Sequence, residues 1–473
     1  MAEVEAFRQE VGRWLEANAP RSLYGTRRGR FDGFWGGRKA SGTDPDVLRW
    51  RDLMAERGFT APTWPVEYGG GGLSRAEARA LDQELARAGL PPAVVGFGLT
   101  MIGPTLLDYG TEAQKRQHLP AICRGEIRWC QGYSEPQAGS DLASLRTRAV
   151  RDGDAFIVDG QKVWTSYADQ SDWIFCLTRT NPDAKKQAGI TFLLIDMESP
   201  GVTARRIALI SGASPFCEVF LEGVRVPESN VVGEVDSGWT VAKALLGYER
   251  SMIGEAIGGQ LATSEAQLVA GARRHLQAAE GRLPDATLRD AIVQNAMDER
   301  AFALTIERAR QGAQSGRAPG PESSIMKVAG SELKQRRWEL SVRIAGPQGL
   351  GWEGPGFDDE DVAATREWLR SRANSIEGGT SEIQLDILAR RVLGLPSDKG
   401  GRGEADPRRR ADASGEDGAA VHGRALAGDP RARAPRHGGR DRLLEGAVAA
   451  DGTARVDGPV SAGGARRLGA RPL

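Results

Sequence analysis

The fold of this chain is decided by two short runs, Tyr133-Ser134-Glu135-Pro136 and Lys162-Val163-Trp164-Thr165-Ser166. Each run places small hydroxyl residues beside an aromatic side chain, and the pattern predicts that the two runs lie on neighbouring strands. Backbone N–H groups and hydroxyls placed in this way can bind the polar edge of a flat ring, while Trp164 covers one face of it. We therefore expect a β domain with a binding site for a ring-shaped cofactor.

The composition sets wide limits on structure and function. The chain has 473 residues, which is long for one core, so two or three domains are expected. Its 63 basic and 63 acidic residues give zero net charge, which does not favour nucleic-acid binding. The sequence has no apolar run long enough to span a membrane and no N-terminal secretion pattern. We expect a cytoplasmic protein that binds neither nucleic acid nor membrane.

The cysteines and histidines do not predict a metal centre. Cysteine occurs at four positions without the spacing of metal ligands, and only four histidines are present. The cysteines are Cys123, Cys130, Cys176 and Cys217. Reduced structural thiols are the expected state in a cytoplasm, so we predict no metal site.

Changes in residue pattern divide the chain into four segments. Residues 1–126 have the apolar spacing of helices and predict an N-terminal α-helical domain. Residues 127–236 contain short β-rich runs and predict an antiparallel β-barrel domain. Residues 237–396 return to long helical periods and predict a C-terminal four-helix bundle. The fold class is therefore α+β, and residues 397–473 form a tail of different composition.

Individual elements can be placed within these segments. After a first helix that ends before Pro20, helices are predicted over residues 48–58, 75–88, 111–124, 239–275, 288–312, 324–344 and 381–393. Strands are predicted over residues 155–158, 173–177, 190–195 and 218–221. Asp152-Gly153 and Asp159-Gly160 are both interpreted as turns.

A third run, Gly378-Gly379-Thr380-Ser381-Glu382-Ile383-Gln384, completes the set. In this order the three runs resemble those of the FAD-dependent acyl-CoA dehydrogenases, and the resemblance covers residues 1–396. It implies helices, then a β barrel, then a helical bundle. It also implies FAD as the cofactor, an acyl-CoA substrate and an electron-transfer flavoprotein as the electron acceptor. The implied assembly is a homo-tetramer, or a hetero-tetramer with a second dehydrogenase-like chain.

The resemblance assigns ligand contacts to residues of this chain. The residues implied to bind FAD are Gln131, Tyr133, Ser134, Ser140, Trp164, Thr165, Ser166, Gly346, Thr380 and Glu382. Ser140 and Arg250 are also implied to lie near the coenzyme A arm and its nucleotide end. The backbone N–H of Gly378 is implied to donate to the thioester oxygen.

The base that removes the Cα proton is implied to be Glu249. In the familiar arrangement of the family a carboxylate precedes the Gly-Thr-Ser run, but that position is Gly378 here and Glu377 comes one residue too early. A shift of one residue turns a side chain away from its target. Other family members take the base from a Glu-Arg pair on an earlier helix, and Glu249-Arg250 matches that pair.

Ordinary structural roles stay open for several of these residues. Ser134 and Thr165 could be strand or turn hydroxyls, and Trp164 could belong to the barrel core. Glu249 could be a solvated carboxylate on a helix surface.

Three functional classes also stay open: a dehydrogenase, a flavin monooxygenase on the same fold, and a partner subunit in a mixed tetramer. A monooxygenase needs no thioester base, so the Glu249-Arg250 pair argues against it. The missing carboxylate at Gly378 favours the partner subunit.

The tail, residues 397–473, is rich in Gly, Ala, Arg, Pro and Asp. It has few aromatic or β-branched residues to bury, so we expect it to be disordered. When residues 442–471 are translated back into DNA with free choice of codons, a second reading frame can encode a peptide similar to residues 53–73 of this chain. The tail is therefore either a disordered extension or an out-of-frame reading into an adjacent gene for a second dehydrogenase-like chain.

Truncation after Leu395 should leave activity and melting temperature unchanged, because a segment that buries no apolar surface adds nothing to the core. Calorimetry and an activity assay of the full-length and truncated chains check this. A large fall in melting temperature would show that the tail packs against the folded part.

Overall fold

A computed structural model of the chain describes residues 2–28, 32–248, 264–276, 282–314, 320 and 324–396. Helices occupy both ends of the described chain, and a curled sheet lies between them. The expected α+β class, with helices before and after a β domain, is confirmed. The tail, residues 397–473, lies outside the described residues.

The N-terminal helices begin where the sequence offers capping residues. The helices are α1 (Ala2–Asn18), α2 (Pro45–Glu56), α3 (Arg75–Arg87), α4 (Gly103–Tyr109) and α5 (Glu112–Cys123). Asp44 caps α2, and Ser74 and Thr111 form reciprocal capping boxes at the starts of α3 and α5. Each side-chain oxygen satisfies a backbone N–H that the first helical turn leaves free, which fixes the start of the helix.

The middle segment is a seven-stranded sheet with the order β1-β4-β2-β3-β7-β6, and β5 pairs with β4 outside this path. The strands are β1 (Trp129–Gly132), β2 (Arg148–Asp152), β3 (Ala155–Ser166), β4 (Trp173–Arg179), β5 (Ile190–Asp196), β6 (Val202–Ile207) and β7 (Phe216–Pro227). Most pairs are antiparallel, but β1 runs parallel to β4, and β2 meets β4 in parallel. The parallel pairs arise because neither is joined by a hairpin.

The two predicted turns have different outcomes. Asp152-Gly153 does form the tight connection between β2 and β3, with Gly153 at φ +60°. The interpretation of Asp159-Gly160 as a turn is wrong, because β3 continues through it with a shift of register against β7. Glycine is needed there for space: a Cβ on Gly160 would lie 2.5 Å from the Thr147 hydroxyl oxygen. The sequence signal of a turn therefore marks a β-bulge.

The C-terminal helices include one that the sequence did not predict. The described helical segments are α6 (residues 238–248), α7 (Ser264–His275), α8 (Ala286–Gln314), α9 (Ser324–Ala345), α10 (Asp359–Ser371) and α11 (Ser381–Ile387). In the unpredicted helix α10 the buried positions are the polar residues Asp361, Thr365 and Ser371, so its buried face is not marked by apolar residues in the sequence. In the described part of the chain, no helix combines the length and the apolar character needed to cross a membrane.

Both faces of the sheet are buried. Phe175, Leu177 and Phe192 point to a core shared with the N-terminal helices and with Leu245 of α6. The alternate residues of β4, among them Cys176, point to a second core between the sheet walls. Because side chains alternate along a strand, two continuous apolar strands can serve both cores.

A loop of the N-terminal segment is tied to the end of the sheet next to β3. The buried Asp172 carboxylate accepts hydrogen bonds from the backbone N–H groups of Arg38 (3.0 Å) and Arg128 (2.8 Å). Close by, the Arg128 guanidinium contacts the rings of both Trp35 and Tyr167, 4.6 and 4.9 Å from their centroids, and the two rings also contact each other. These contacts hold the loop against the residues that directly follow β3.

Candidate functional site

The end of β3 has an unusual backbone that turns an aromatic side chain outward. Trp164 and Tyr167 have φ values of +60° and +54°, a conformation that bulky residues rarely adopt. The pairing of β3 with β7 shifts between Lys162 and Thr165, and the Trp164 side chain is 56% exposed. Such strain costs about 1–2 kcal/mol per residue and persists where the surroundings impose it. The exposed indole is therefore held in place by the fold.

The two hydroxyl-aromatic runs, residues 133–136 and 162–166, meet in the fold, although not on adjacent strands. The expectation that they occupy neighbouring strands is wrong in detail, because β1 pairs with β4 and not with β3. The chain after β1 instead crosses to β3, where the Val163 N–H donates to the Ser134 carbonyl at 2.9 Å. The curvature of the sheet brings this connection beside β3.

The residues of the two runs differ in what they expose. The Tyr133 ring is buried, edge-on to Phe175 at 6.1 Å and to Phe192 at 6.4 Å, so only its backbone is available to a ligand. Gln131 is half-buried on β1. Ser134 is half-buried too, and no hydrogen bond of its hydroxyl occurs among the described residues.

Along β3 the side chains alternate, and this decides which of them can face a ligand. Trp164 points outward, Thr165 is fully buried on the core side, and Ser166 is half-buried. Among the described residues, the buried Thr165 hydroxyl has no hydrogen-bond partner. The geometry therefore favours Trp164 and Ser166 over Thr165 as side-chain contacts. Ser140 lies farther along the same surface segment and is exposed.

A loop of the C-terminal helices reaches this end of β3. Phe216 of β7 packs edge-on against Trp164 with a centroid distance of 6.0 Å. The Arg370 guanidinium of α10 lies 5.3 Å from the centre of the Phe216 ring and pairs with the Glu377 carboxylate at 2.7 Å. Asn374 donates a second hydrogen bond to Glu377 at 2.5 Å. Segments from three separate parts of the sequence, β3, β7 and the loop after α10, thus meet around one aromatic pair.

Glycine is required in this loop for conformational reasons. Gly378 and Gly379 have φ values of +64° and +85°, which favour glycine over every other residue. A Cβ on Gly379 would lie 2.7 Å from the Gln384 side-chain nitrogen. Because the φ of Gly378 lies in the left-handed region, a carboxylate residue at this position would strain the backbone.

The remaining predicted contacts lie at helix ends. Thr380 caps α11, because its hydroxyl accepts from the Ile383 N–H at 3.3 Å. Glu382 is exposed in the first turn of α11, and hydrogen bonds to its own backbone and to Thr380 lower the pKa of its carboxyl. Gly346 follows α9 at φ +57° and is exposed. Thr380 and Glu382 thus have capping roles apart from any ligand.

The predicted base lies outside the described residues. Neither Glu249 nor Arg250, the Glu-Arg pair of the prediction, is among the residues that the structure describes. The preceding residue, Tyr248, is described: its hydroxyl donates to the Asp108 carboxylate of α4. Burial, together with this carboxylate, raises the pKa of Tyr248 to about 12. The C-terminal end of the described α6 therefore contacts the N-terminal helices.

Sequence reasoning did not identify several residues of the site. Phe216 and Arg370 belong to it only through tertiary contacts, and no local signal marks either of them. Lys162 and Glu135 form a buried ion pair under the two runs, at 2.8 Å. Glu135 belongs to the run 133–136 and Lys162 to the run 162–166, so one acidic and one basic residue within these β-rich segments could have indicated an ion pair.

The arrangement suits a flat ring and does not suit thiol or metal chemistry. An exposed indole beside half-buried hydroxyls offers one ring face and polar contacts for a ring edge, which fits FAD. Among the described residues, no group of histidine, cysteine and acidic side chains could hold a metal ion. Burial raises the pKa of Cys176 to about 11 and that of Cys123 to about 12, so these thiols remain protonated.

Comparison with protein families gives matches along the whole described chain. The acyl-CoA dehydrogenase N-terminal domain matches residues 2–126, the middle domain residues 130–224 and the C-terminal domain residues 236–393. The acyl-CoA dehydrogenase IpdE1 of Mycolicibacterium smegmatis is 36% identical over 411 residues, which cover 84% of this chain and 99% of that protein.

Two solved structures have the same fold. The Tcur3481-Tcur3483 steroid ACAD superposes with a TM-score of 0.67 and 31% identity, covering 84% of this chain and 99% of that one. The ChsE4-ChsE5 complex from Mycobacterium tuberculosis gives a TM-score of 0.65 and 29% identity, covering 84% of this chain and 98% of that one.

Replacement of Trp164 by glycine should barely lower the melting temperature, because the indole is exposed and glycine relieves the left-handed backbone. Binding of added FAD, followed by fluorescence quenching, should nevertheless weaken. Trp50→Gly is the matched control. Because Trp50 is 1% exposed, its replacement should lower the free energy of unfolding by about 3 kcal/mol or more. Equal losses of stability in both variants would mean that Trp164 belongs to the core.

Proposed function

The chain belongs to the acyl-CoA dehydrogenase family and is an FAD-dependent oxidoreductase, and we propose that it oxidises the Cα–Cβ bond of an acyl-CoA thioester. The product is the trans-2-enoyl-CoA, and an electron-transfer flavoprotein takes the electrons. The observation that carries this proposal is the meeting of Trp164, Phe216 and Arg370, which places the Gly378 loop beside the end of β3.

The Gly378 loop polarises the substrate. Its N–H donates to the thioester oxygen as enolate character develops at Cα, and a fixed donor needs no reorganisation during the reaction. The positive φ of Gly378 sets the direction of the peptide, and the absent side chain leaves room for the acyl group. Ser134 and Ser166 supply hydroxyls at the edge of the ring site. FAD, when bound, supplies the hydride acceptor for the hydrogen on Cβ.

Glu249 removes the Cα proton in this proposal. The alternative carboxylate, Glu377, is already engaged by Arg370 at 2.7 Å and by Asn374 at 2.5 Å. A carboxylate held by two partners in this way is not free to approach the Cα of a substrate. A base in a site closed to water is a better proton acceptor, because desolvation raises the pKa of its carboxyl towards the operating pH.

The relatives support a substrate class and an assembly. One solved relative is named as a steroid ACAD and is 31% identical to this chain. We extend that class to this protein. The substrate would be a polycyclic ring system whose side chain carries the CoA thioester, and the glycine at 378 adds no side chain that could obstruct it. Another solved relative is a complex of two named chains, ChsE4 and ChsE5, which supports a hetero-tetramer with a second dehydrogenase-like chain.

A second candidate function is a partner subunit that is inactive alone. The specific observation in its favour is Gly378, which leaves the C-terminal loop without a carboxylate at the usual base position. In that case the chain would bind FAD but depend on its mate for turnover.

Anaerobic mixing with a panel of acyl-CoA thioesters separates these possibilities. A dehydrogenase should bleach the flavin absorbance by itself, and straight-chain, branched, dicarboxylic and steroid side-chain thioesters identify the substrate. A monooxygenase would need an added reductant. A partner subunit would show no bleaching until the second chain is supplied.

Glu249→Gln should lower turnover by about two orders of magnitude or more while leaving FAD and ligand binding intact, because the amide keeps the shape but cannot accept the proton. Glu377→Gln is the matched control, and it should have a much smaller effect because Glu377 pairs with Arg370. Single-turnover flavin reduction measures both. Reversed effects would identify Glu377 as the base, and two normal rates would show that neither carboxylate is catalytic.

A further inference from the structure

A buried ion pair lies directly under the candidate ring site and has no part in the proposed reaction. Lys162 is 0% and Glu135 4% exposed, and the Lys162 ammonium donates to the Glu135 carboxylate at 2.8 Å. Two charges removed from water pay a desolvation cost that their attraction only partly offsets, so an apolar pair of similar size is often as stable. Stability alone therefore does not account for this pair, and its further contacts are informative.

The carboxylate of Glu135 joins three segments of the chain. One oxygen accepts from the Lys162 ammonium and from the Thr147 N–H at 2.9 Å. The other accepts from the Arg146 N–H at 2.6 Å and from the Gln137 side chain at 2.7 Å. These four bonds use the acceptor capacity of a carboxylate, so Glu135 is held in one position and one ionisation state.

Lys162 also contacts the residues that precede Glu135 in the chain. Besides Glu135, the Lys162 ammonium donates to the Tyr133 carbonyl at 3.2 Å. The next residue of β3, Val163, donates its N–H to the Ser134 carbonyl at 2.9 Å. Consecutive residues of β3 thus hold consecutive carbonyls of Tyr133 and Ser134, two residues that we call the ledge.

The direction of one peptide follows from these bonds. In a trans peptide the carbonyl and the following N–H point in opposite directions. Since the Tyr133 carbonyl points at Lys162, the Ser134 N–H points away from it. The next N–H, that of Glu135, is used within its own turn by the Ala138 carbonyl at 3.1 Å. The ledge therefore presents a donor whose direction is set by a buried lysine.

We propose that Lys162 and Glu135 are positioning residues for FAD: their ion pair orients the Tyr133–Ser134 peptide so that the Ser134 N–H and hydroxyl meet the polar edge of the flavin ring. Lys162 acts on the ring through the ledge and does not touch it. The charge on Glu135 keeps the lysine in place. The inference rests on the proposed placement of the flavin beside Ser134, and it does not depend on which substrate is oxidised.

The test removes both charges together, in Glu135→Gln/Lys162→Met, so that neither charge is left buried without its partner. The readouts are the dissociation constant of FAD from the apoprotein, the visible spectrum of the bound flavin and the melting temperature of the apoprotein. We expect the FAD dissociation constant to rise at least tenfold, with a shifted flavin spectrum, while the apoprotein keeps its helix content.

Glu84→Gln is the matched control for loss of a buried carboxylate. Glu84 is 4% exposed on α3 and pairs with Arg87 at 2.7 Å, among the N-terminal helices and away from the ledge. This variant should lower the melting temperature of the apoprotein without changing FAD affinity or the flavin spectrum.

Two results would overturn the proposal. One is an FAD affinity within about twofold of wild type in the double variant, together with an unchanged flavin spectrum. The other is loss of folded helix content in the apoprotein, which would make the pair a requirement of the fold and not of the ledge. Because acyl-CoA is absent from all three measurements, failure of the proposed reaction leaves this test unaffected.

Discussion

The structure depends on strands that are apolar on both faces. The described residues of β4 and β5 alternate between a core shared with the N-terminal helices and a core inside the curled sheet. Parallel-packed aromatic rings of Phe175 and Phe192, with centroids 6.1 Å apart, span the first core. Because the same two strands serve both cores, a shift of one residue would move every side chain into the opposite core, and the packing of both cores opposes it. That fixed register determines where the ends of the strands lie.

The candidate site lies where this regularity ends. At the end of β3 the pairing shifts, two aromatic residues take left-handed backbones, and two hydroxyl residues, Thr165 and Ser166, lie between them in sequence. These departures are imposed from outside the strand: Phe216 packs against Trp164, while Trp35 and Arg128 pack against Tyr167. Three segments distant in sequence thus stabilise a conformation that the local sequence disfavours, which is the expected arrangement at a functional site.

The sequence predicts those parts of the fold that local residue patterns determine. Helices with an apolar stripe and strands with β-branched runs were found, and the hydroxyl-aromatic runs do lie together. Helix α10 was missed because Asp361 and Thr365 face its core, and Asp159-Gly160 was misinterpreted because a bulge and a turn share the same residues. The role of Tyr133 also needed the structure, since no pattern tells whether a residue offers its ring or its backbone. Contacts such as Phe216 with Arg370 depend on tertiary packing alone.

Three carboxylates illustrate how environment separates residues of one chemical type. Burial alone would raise the pKa of Glu135, but the adjacent Lys162 and the surrounding hydrogen bonds lower it, so this carboxylate is a weak proton acceptor. Glu377 is half-exposed and is held by Arg370 at 2.7 Å and by Asn374 at 2.5 Å. A proton acceptor for a weak carbon acid must be free of such partners and shielded from water. In the proposed reaction that acceptor is Glu249, which directly follows Tyr248, the residue whose hydroxyl donates to Asp108 of α4. Glu135 therefore joins Lys162 to the backbone of residues 146 and 147, Glu377 pairs with Arg370, and the proposed reaction assigns the proton transfer to a third carboxylate.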